Sequence, residues 1–316
     1  MNIAGLIGAL LPVFFVLALG YVAGKRHTFN ADQAAGFSKL ALGFALPAAL
    51  FVSMTDIRRD LLLQQGGLVA ALLIAHVGLF LVAGLLLRPV ESLKGAGAII
   101  CALMLSSSAT PVFGIAVLQP LLGDTSAGTV GLVALAINLV VPISIILLEM
   151  NSAKASLNPQ DSSTASPVIG GLIAGLKSPL LWAPVLGTLV VLAGLHISKG
   201  IAGSLEMIGS ATSGVAVFTV GLTLAAHSFH LSRTVLLGTL GRITIQTAVL
   251  FLLFHLIHVT GPFAKEALVC TSFPMATTVV LFASKYKALE AETASILLLS
   301  TVSLLISVPI TIAIGR

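Results

Sequence analysis

Long apolar stretches separated by short polar ones make up most of the chain. A transmembrane helix needs about 20 mostly apolar residues to cross the hydrocarbon core of a bilayer. Ten stretches meet this requirement, at roughly 3–24, 33–54, 66–88, 96–119, 127–149, 179–197, 202–226, 233–257, 264–284 and 293–314. The pattern therefore predicts an all-α integral membrane protein with ten spans.

A short motif occurs near the end of each half of the chain. Residues 141–145 are Val-Pro-Ile-Ser-Ile, and residues 308–312, 167 positions later, are Val-Pro-Ile-Thr-Ile. A polar stretch at 150–167 separates the first five predicted spans from the last five. Five spans begin and end on opposite sides of the membrane, so a second copy must have the inverted topology. We therefore expect two inverted repeats.

This division predicts three parts. The first repeat covers 1–150, a cytoplasmic linker covers 151–178, and the second repeat covers 179–316. The apolar end of the linker is too short to cross a bilayer, so we expect it to form a short interfacial helix.

Spans four and nine each contain a proline beside several hydroxyl side chains. Proline removes a backbone donor and kinks or breaks a helix, and the freed backbone groups must be buried in protein or line a wet cavity. Two breaks at matching places in inverted repeats indicate a substrate site, and helix N-termini at those breaks favour an anion. The structural alternative is that the prolines only shape helix packing. The candidate substrate-binding residues are Ser107, Ser108, Thr110 and Pro111 in span four, Asn138 in span five, Arg242 in span eight, and Thr271, Ser272, Pro274 and Thr277 in span nine.

Arg242 is the buried charge in this set. It lies near the middle of span eight, where an arginine is costly and normally faces a cavity or a counter-ion. No intramembrane acid is evident to neutralise it, so a carboxylate substrate is one predicted partner. The alternative is that its side chain snorkels towards the membrane surface or binds backbone carbonyls. His76, in span three and 166 residues earlier, is a candidate for carrying a coupling proton or for packing. Asn138 either lines the site or bonds across helices.

Composition supports a membrane protein and excludes several other classes. Apolar residues make up 57% of the chain and charged residues 9%, against about 25% charged in soluble domains. Lys and Arg in the predicted loops number nine on one side and five on the other. The positive-inside rule then places both termini outside the cytoplasm. The net charge of +5 therefore reflects orientation and does not indicate nucleic-acid binding. Neither a metal site, an ATP-binding loop nor a catalytic set is visible, so we expect neither an enzyme nor a bound cofactor.

Several motifs together resemble the auxin efflux carrier family of secondary transporters, and in particular its bacterial branch of malate, malonate and putative oxalate permeases. The matching pieces, in order along nearly the whole chain, are Leu11-Pro12 with Gly20-Tyr21, Leu46-Pro47-Ala48-Ala49-Leu50-Phe51, Phe218 with Gly221, Pro274 with Ala276, Ala283 with Tyr286, and Ala294-Ser295 through Ser300-Thr301 to Pro309. The resemblance implies ten spans in two inverted repeats, in which broken spans four and nine cross beside the substrate. Arg242 matches a basic residue that is usual in span eight.

The chain departs from the family pattern at two places near the implied site. Many relatives have Asn-Thr-Gly at the break of span four, where this chain has Ala109-Thr110-Pro111. Relatives often carry a proline one turn after the basic residue of span eight, where this chain has Gln246.

These features together predict a multi-pass permease of the bacterial cytoplasmic membrane. The expected cargo is a small organic anion, most simply a short dicarboxylate such as malonate, malate or oxalate, moved by alternating access. Alternatives are a carrier of an auxin-like monocarboxylate or other solute, and a membrane anion sensor that does not transport. The expected partners are the anion and membrane lipid, with no nucleic acid; a homodimer is one option for assembly. The sequence leaves the coupling ion open between H⁺ and Na⁺.

Overall fold

The computed structural model describes residues 3–56, 58–122, 126–155, 179–226 and 230–315, and the regular structure in these ranges is helical. The α-helices are α1 (Ile3–Lys25), α2 (Ala31–Leu40), α3 (Leu46–Thr55), α4 (Arg59–Gln64), α5 (Gly66–Leu73), α6 (Leu79–Leu87), α7 (Ala96–Ser106), α8 (Thr110–Leu122), α9 (Ser126–Ala155), α10 (Pro179–Leu192), α11 (Lys199–Ala226), α12 (Arg233–Ile257), α13 (Pro262–Thr271), α14 (Thr277–Lys285) and α15 (Glu290–Ile314). One π-helical segment, Ala41–Ala45, joins α2 to α3, and another, Ile74–Gly78, joins α5 to α6.

The helices have the length and composition of a membrane protein. Within the described ranges, four helical stretches are long and apolar enough to cross a bilayer, namely Gly66–Leu87, Thr129–Ser152, Arg233–Ile257 and Glu290–Ile314. Shorter apolar helices cover Phe14–Lys25 and Ala96–Ser106. The predicted all-helical membrane class is therefore confirmed.

The prolines inside the predicted spans have two different effects. Pro12, Pro142 and Pro309 lie inside continuous helices. Spans four and nine are instead interrupted, at 107–109 between α7 and α8 and at 272–276 between α13 and α14. A proline therefore does not suffice to end a helix in this protein.

The predicted linker is partly helical. Helix α9 continues to Ala155, so the first five residues of the predicted linker are helical. The rest of the linker, with its expected interfacial helix, lies outside the described residues.

Two close helix contacts are related by the offset that the sequence motif shows. Helix α1 packs most extensively on α11, and α3 packs on α10. A Cβ atom added to Gly20 would lie 2.1 Å from the carbonyl oxygen of Phe218, and one added to Gly187 would lie 2.8 Å from that of Phe51. Gly20 and Gly187 are 167 positions apart, as are Phe51 and Phe218. The same backbone contact therefore occurs twice, with the roles of the two halves exchanged.

The interruptions of spans four and nine lie between two apolar clusters. One cluster contains side chains of α8 and α13, including Phe113, whose ring centroid lies 6.3 Å from that of Phe273. The other contains side chains of α7 and α14, including Leu103 and Phe282. The polar segments are thus held inside the protein by packing on both sides.

Candidate functional site

The two interrupted segments bind each other through their backbones; this contact is called the crossing below. The N–H of Ala109 donates to the carbonyl oxygen of Pro274 at 2.8 Å, and the N–H of Ala276 donates to that of Ser107 at 3.0 Å. Ser108 and Met275 face each other in this antiparallel pair. Adding 167 to 107, 108 and 109 gives 274, 275 and 276, so the two hydrogen bonds exchange places under the repeat offset.

Local backbone chemistry accounts for the crossing. Ser107 adopts an extended conformation directly after α7, and Ala276 has φ −59° and ψ 134° directly before α14. Pro111 is the second residue of α8, where a helix has no use for the missing N–H. Pro274 lies inside the second interruption and supplies the carbonyl that Ala109 binds. Each segment therefore satisfies backbone groups that its own helix halves leave unpaired.

Arg242, on α12, lies against the crossing and is fully buried. It donates from Nη1 to the carbonyl oxygen of Thr271 at 3.4 Å and from Nη2 to that of Phe273 at 3.3 Å. Its Nε has no hydrogen-bond partner among the described residues. No carboxylate in the described part of the chain forms an ion pair with it. The backbone-carbonyl alternative is thus what the structure contains, and one donor remains for another group.

His76 and Gln246 make the corresponding contact on span four. His76 Nδ1 lies 2.6 Å from the carbonyl oxygen of Ser106, and Gln246 Nε2 lies 2.8 Å from the same oxygen and 2.7 Å from His76 Nδ1. All three residues are fully buried. Ser106 and Phe273 are 167 positions apart, so a side chain from span three or eight binds the equivalent carbonyl in each repeat.

Gln246 was therefore a missed site residue. The sequence marked it only as a departure from the usual proline. It lies four residues after Arg242, so the two side chains project from one face of α12. That spacing was the available signal: a second buried polar group on the same face as the arginine. Together, Arg242 and Gln246 bind both interrupted spans from a single helix.

The predicted hydroxyl residues lie at or beside the crossing, and several of them already have hydrogen-bond partners. Ser108 Oγ lies 2.6 Å from Thr110 Oγ1, which also donates to the carbonyl oxygen of Cys270 at 3.3 Å. Thr271 bonds the hydroxyl of Thr247 at 2.8 Å. The hydroxyl of Ser272 donates to the carbonyl of Val269, inside its own helix. These groups are already partnered and need not face a substrate.

Other predicted residues have unused polar atoms or a different exposure. Ser107 Oγ and Asn138 Nδ2 are buried without a hydrogen-bond partner in the described part of the chain, as is Oγ1 of Thr278, which the sequence did not select. Asn138 lies on α9 between residues that belong to the two apolar clusters. Thr277 and Pro274 are buried, whereas Pro111 is exposed. Unused donors on Arg242 and Asn138 and the hydroxyls of Ser107 and Thr278 suit an anion with several oxygen atoms.

One buried acidic residue inside the predicted spans was not selected from the sequence, although in the described part of the chain it forms no ion pair with Arg242. Glu266, in α13, is only 3% exposed, and one of its carboxylate oxygens accepts a hydrogen bond from the hydroxyl of Thr129 on α9. It lies two residues inside the predicted ninth span and was overlooked because it is near that span's start. Glu149, at the end of predicted span five, accepts hydrogen bonds from Lys285 Nζ at 2.8 Å and from the hydroxyl of Tyr286 at 2.6 Å.

Comparison with known proteins identifies the family. The family model described as "Membrane transport protein" matches residues 6–312. The chain is 33% identical over 313 residues to a protein of Escherichia coli named "Uncharacterized transporter YfdV", with 98% of each chain covered. It is 23% identical over 311 residues to the mouse "Lysosomal cholesterol signaling protein", covering 92% of this chain and 35% of that protein. The expected resemblance is confirmed: this chain belongs to the membrane transport protein family, that of the auxin efflux carriers.

Proposed function

We propose that the protein is a secondary active transporter of a small organic anion, with a short dicarboxylate such as malonate, malate or oxalate as its cargo. The buried crossing carries this proposal, because it brings two polar chain segments together inside apolar packing, with Arg242 bound to one segment and Gln246 of the same helix bound to the other. A transporter also agrees with the family and with the name of the bacterial relative. We further propose that it resides in a bacterial inner membrane, with both termini outside the cytoplasm.

The proposed architecture is ten spans in two inverted five-helix repeats. Its support is the offset of 167 shared by the sequence motif, the glycine contacts and the crossing hydrogen bonds. Inverted repeats commonly give alternating access because either repeat adopts the conformation of the other. In this mechanism the crossing carries the anion between the two sides, and the α1–α11 and α3–α10 contacts belong to the part that stays fixed.

In the proposed site, one carboxylate of the cargo accepts a hydrogen bond from Arg242 Nε and gains from its positive charge. The second carboxylate accepts from Asn138 Nδ2 and from the hydroxyls of Ser107 and Thr278. A buried cation that binds only neutral carbonyls is costly, so an anion that reaches it recovers electrostatic energy. The coupling ion in this proposal is H⁺ or Na⁺, with His76 as the first candidate for a proton.

Counterflow in proteoliposomes tests the function. Vesicles are loaded with unlabelled malonate, malate, oxalate or indole-acetate, and entry of the labelled compound is followed. We expect exchange of at least one dicarboxylate. Exchange of indole-acetate alone would replace the cargo with a monocarboxylate, and binding of a ligand without exchange by folded protein would favour the sensor alternative.

The Arg242→Ala variant tests the proposed site, because it removes the buried positive charge. We expect exchange to fall at least about 30-fold, since truncating one partner of a buried charge interaction costs about 2–5 kcal/mol. Arg233→Ala is its control, because Arg233 is exposed at the first turn of the same helix. Exchange by the Arg242→Ala variant at the rate of the control would refute the role of the arginine.

A further inference from the structure

The buried acid Glu266 is a charged group that the proposed anion site does not use. Its carboxylate is 3% exposed and lies inside α13, the first half of span nine. The hydroxyl of Thr129, itself fully buried on α9, donates a hydrogen bond to this carboxylate. An ionisable group enclosed among the helices of a membrane protein is expensive to keep, and such groups often serve ion or proton movement.

A line of buried polar groups connects this acid to the crossing. The hydroxyl of Ser108, in the crossing, lies 2.6 Å from that of Thr110, and Thr110 donates to the carbonyl of Cys270. Cys270 is one helical turn after Glu266 on α13. On the other side, Thr129 is one turn from the buried Ser126 at the start of α9. The acid therefore lies between the crossing and one end of the helix bundle.

The same short helix also connects the acid to the arginine. Arg242 binds the carbonyl of Thr271, five residues after Glu266 and about 7.5 Å further along the helix axis. An anion bound at Arg242 would place negative charge near the carboxylate. Like charges repel in a low-dielectric interior, so the bound anion favours the neutral, protonated acid. By thermodynamic reciprocity, a proton on the acid favours anion binding.

Among the charges on and around α13, an anion bound at Arg242 is the one that acts most directly on Glu266. Helix α8 carries no charged or titratable side chain, and Lys265, next to Glu266 in the chain, is exposed. The remaining groups on α9, α12, α13 and α15 are Glu149, Lys154, Arg233, Arg242, His255, Cys270, Glu290 and Glu292. Of these, Cys270 contacts the crossing through Thr110, and Arg242 binds the carbonyl of Thr271 in α13. Arg233 is the first residue of α12, and Glu290 and Glu292 lie in the first turn of α15.

We propose that Glu266 binds the proton that is co-transported with the anion, with Thr129 as its hydrogen-bonding partner. The carboxylate takes up one H⁺ from the side of loading to form the neutral acid, and releases it to the other side after the crossing has moved. This inference rests on the proposed function and adds its coupling ion. It assigns that role to Glu266 in place of His76, because a proton neutralises the buried carboxylate of Glu266 but would make His76 a second buried positive charge in addition to Arg242.

Measuring the Glu266→Gln variant in two assays, counterflow and accumulation driven by a pH gradient, separates proton coupling from anion binding. Glutamine has the shape of the protonated acid but exchanges no proton. We expect the variant to keep counterflow of the dicarboxylate within about threefold of wild type, because exchange needs no proton release. We expect accumulation driven by a pH gradient to fall at least about tenfold. Glu91→Gln is the control, since Glu91 is exposed and pairs with Lys94 at the surface.

A measurement on the unaltered protein keeps the proposal testable if Glu266→Gln does not fold. A pH dye inside the vesicles should report acidification when the dicarboxylate enters with no imposed gradient. Entry without acidification, or accumulation driven by a sodium gradient alone, would overturn the proton assignment. The role of Glu266 would be overturned if the Glu266→Gln variant kept its pH-driven accumulation. It would also be overturned if His76→Gln lost that accumulation while Glu266→Gln did not. Absence of any exchange in wild type would instead refute the proposed function itself.

Discussion

The α1–α11 contact and the crossing are two backbone-to-backbone contacts with different chemistry. In the first, glycines remove side chains: a Cβ on Gly221 would lie 2.3 Å from the carbonyl oxygen of Leu17, and one on Gly24 would lie 2.5 Å from the Cβ of Ala225. In the second, interrupted helices remove intrahelical bonds, and backbone groups of Ala109 and Ala276 bond across the gap. Both contacts obey the offset of 167.

The difference shows how one chain builds a rigid surface and a polar site from the same repeat. Helices in lipid gain little from hydrophobic burial against each other, so small residues and close packing hold them together. That contact leaves no polar group for a ligand. The crossing exposes donors and acceptors inside the protein, where each must be matched by another group. We therefore expect the first contact to respond to side-chain volume and the second to hydrogen-bonding capacity.

The largest expected effect is on the glycine contact. Gly20→Leu would force apart α1 and α11, and we expect no folded protein or a loss of at least about 3 kcal/mol, the upper range for overpacking. Gly187→Leu should act similarly because it occupies the equivalent position. Gly36→Leu is the control, since nothing lies within 4 Å of a Cβ there. Thermal unfolding in detergent measures the difference, and equal melting of the Gly20 and Gly36 variants would contradict the contact.

The next effect is on the crossing hydrogen bonds. Ala276→Pro removes the donor to Ser107, while the backbone φ of −59° already suits proline. A buried carbonyl left without its partner costs about 1–3 kcal/mol, so Tm should fall while the helices remain. Ala109→Pro removes the equivalent donor to Pro274 and should cost a similar amount. Unchanged Tm in both variants would show that these bonds do not hold the crossing.

A smaller effect is expected for the side-chain support of the crossing. Gln246→Leu keeps the volume but removes the contacts with Ser106 and His76, at about 1–2 kcal/mol for the lost hydrogen bonding. We also expect slower dicarboxylate exchange with little change in apparent affinity, since Gln246 supports the segment without being placed on the cargo. Thr244→Val is the control on an exposed face of the same helix. A change in affinity alone would place Gln246 on the substrate instead.

The smallest expected effect is on the pH dependence of stability, through an acidic residue near the glycine contacts. Burial raises the pKa of Asp56, just after α3, and the nearby Glu206 on α11 raises it further. The folded state therefore binds protons more readily than the unfolded state, and stability is lost as pH rises through the unfolded and then the folded pKa. Asp56→Asn should remove that pH dependence, with only a small gain at neutral pH because the side chain is only partly shielded from solvent. Tm measured from pH 4 to 7 checks this; a Tm of the variant that follows wild type throughout would contradict it.

Local sequence patterns were enough for the class of protein and for the place of the two interruptions. Apolar runs of span length indicate a membrane protein because no other solvent would cover them. Proline beside hydroxyls marked 107–111 and 271–277, where the helices do stop. Arg242 stood out because a charge in an apolar run is rare. These signals are local, since each depends on a residue and its immediate neighbours.

The sequence by itself thus determined the membrane class, the family resemblance and the 167-residue offset. Only the tertiary structure paired Ser108 with Met275, brought Gln246 to Ser106 and enclosed Glu266 with Thr129. The physical reason is that these spans are apolar on nearly every face. Lipid-facing and protein-facing positions therefore look alike in the sequence, and the choice of neighbouring helices depends on packing and on hydrogen bonds between residues 30 to 170 positions apart.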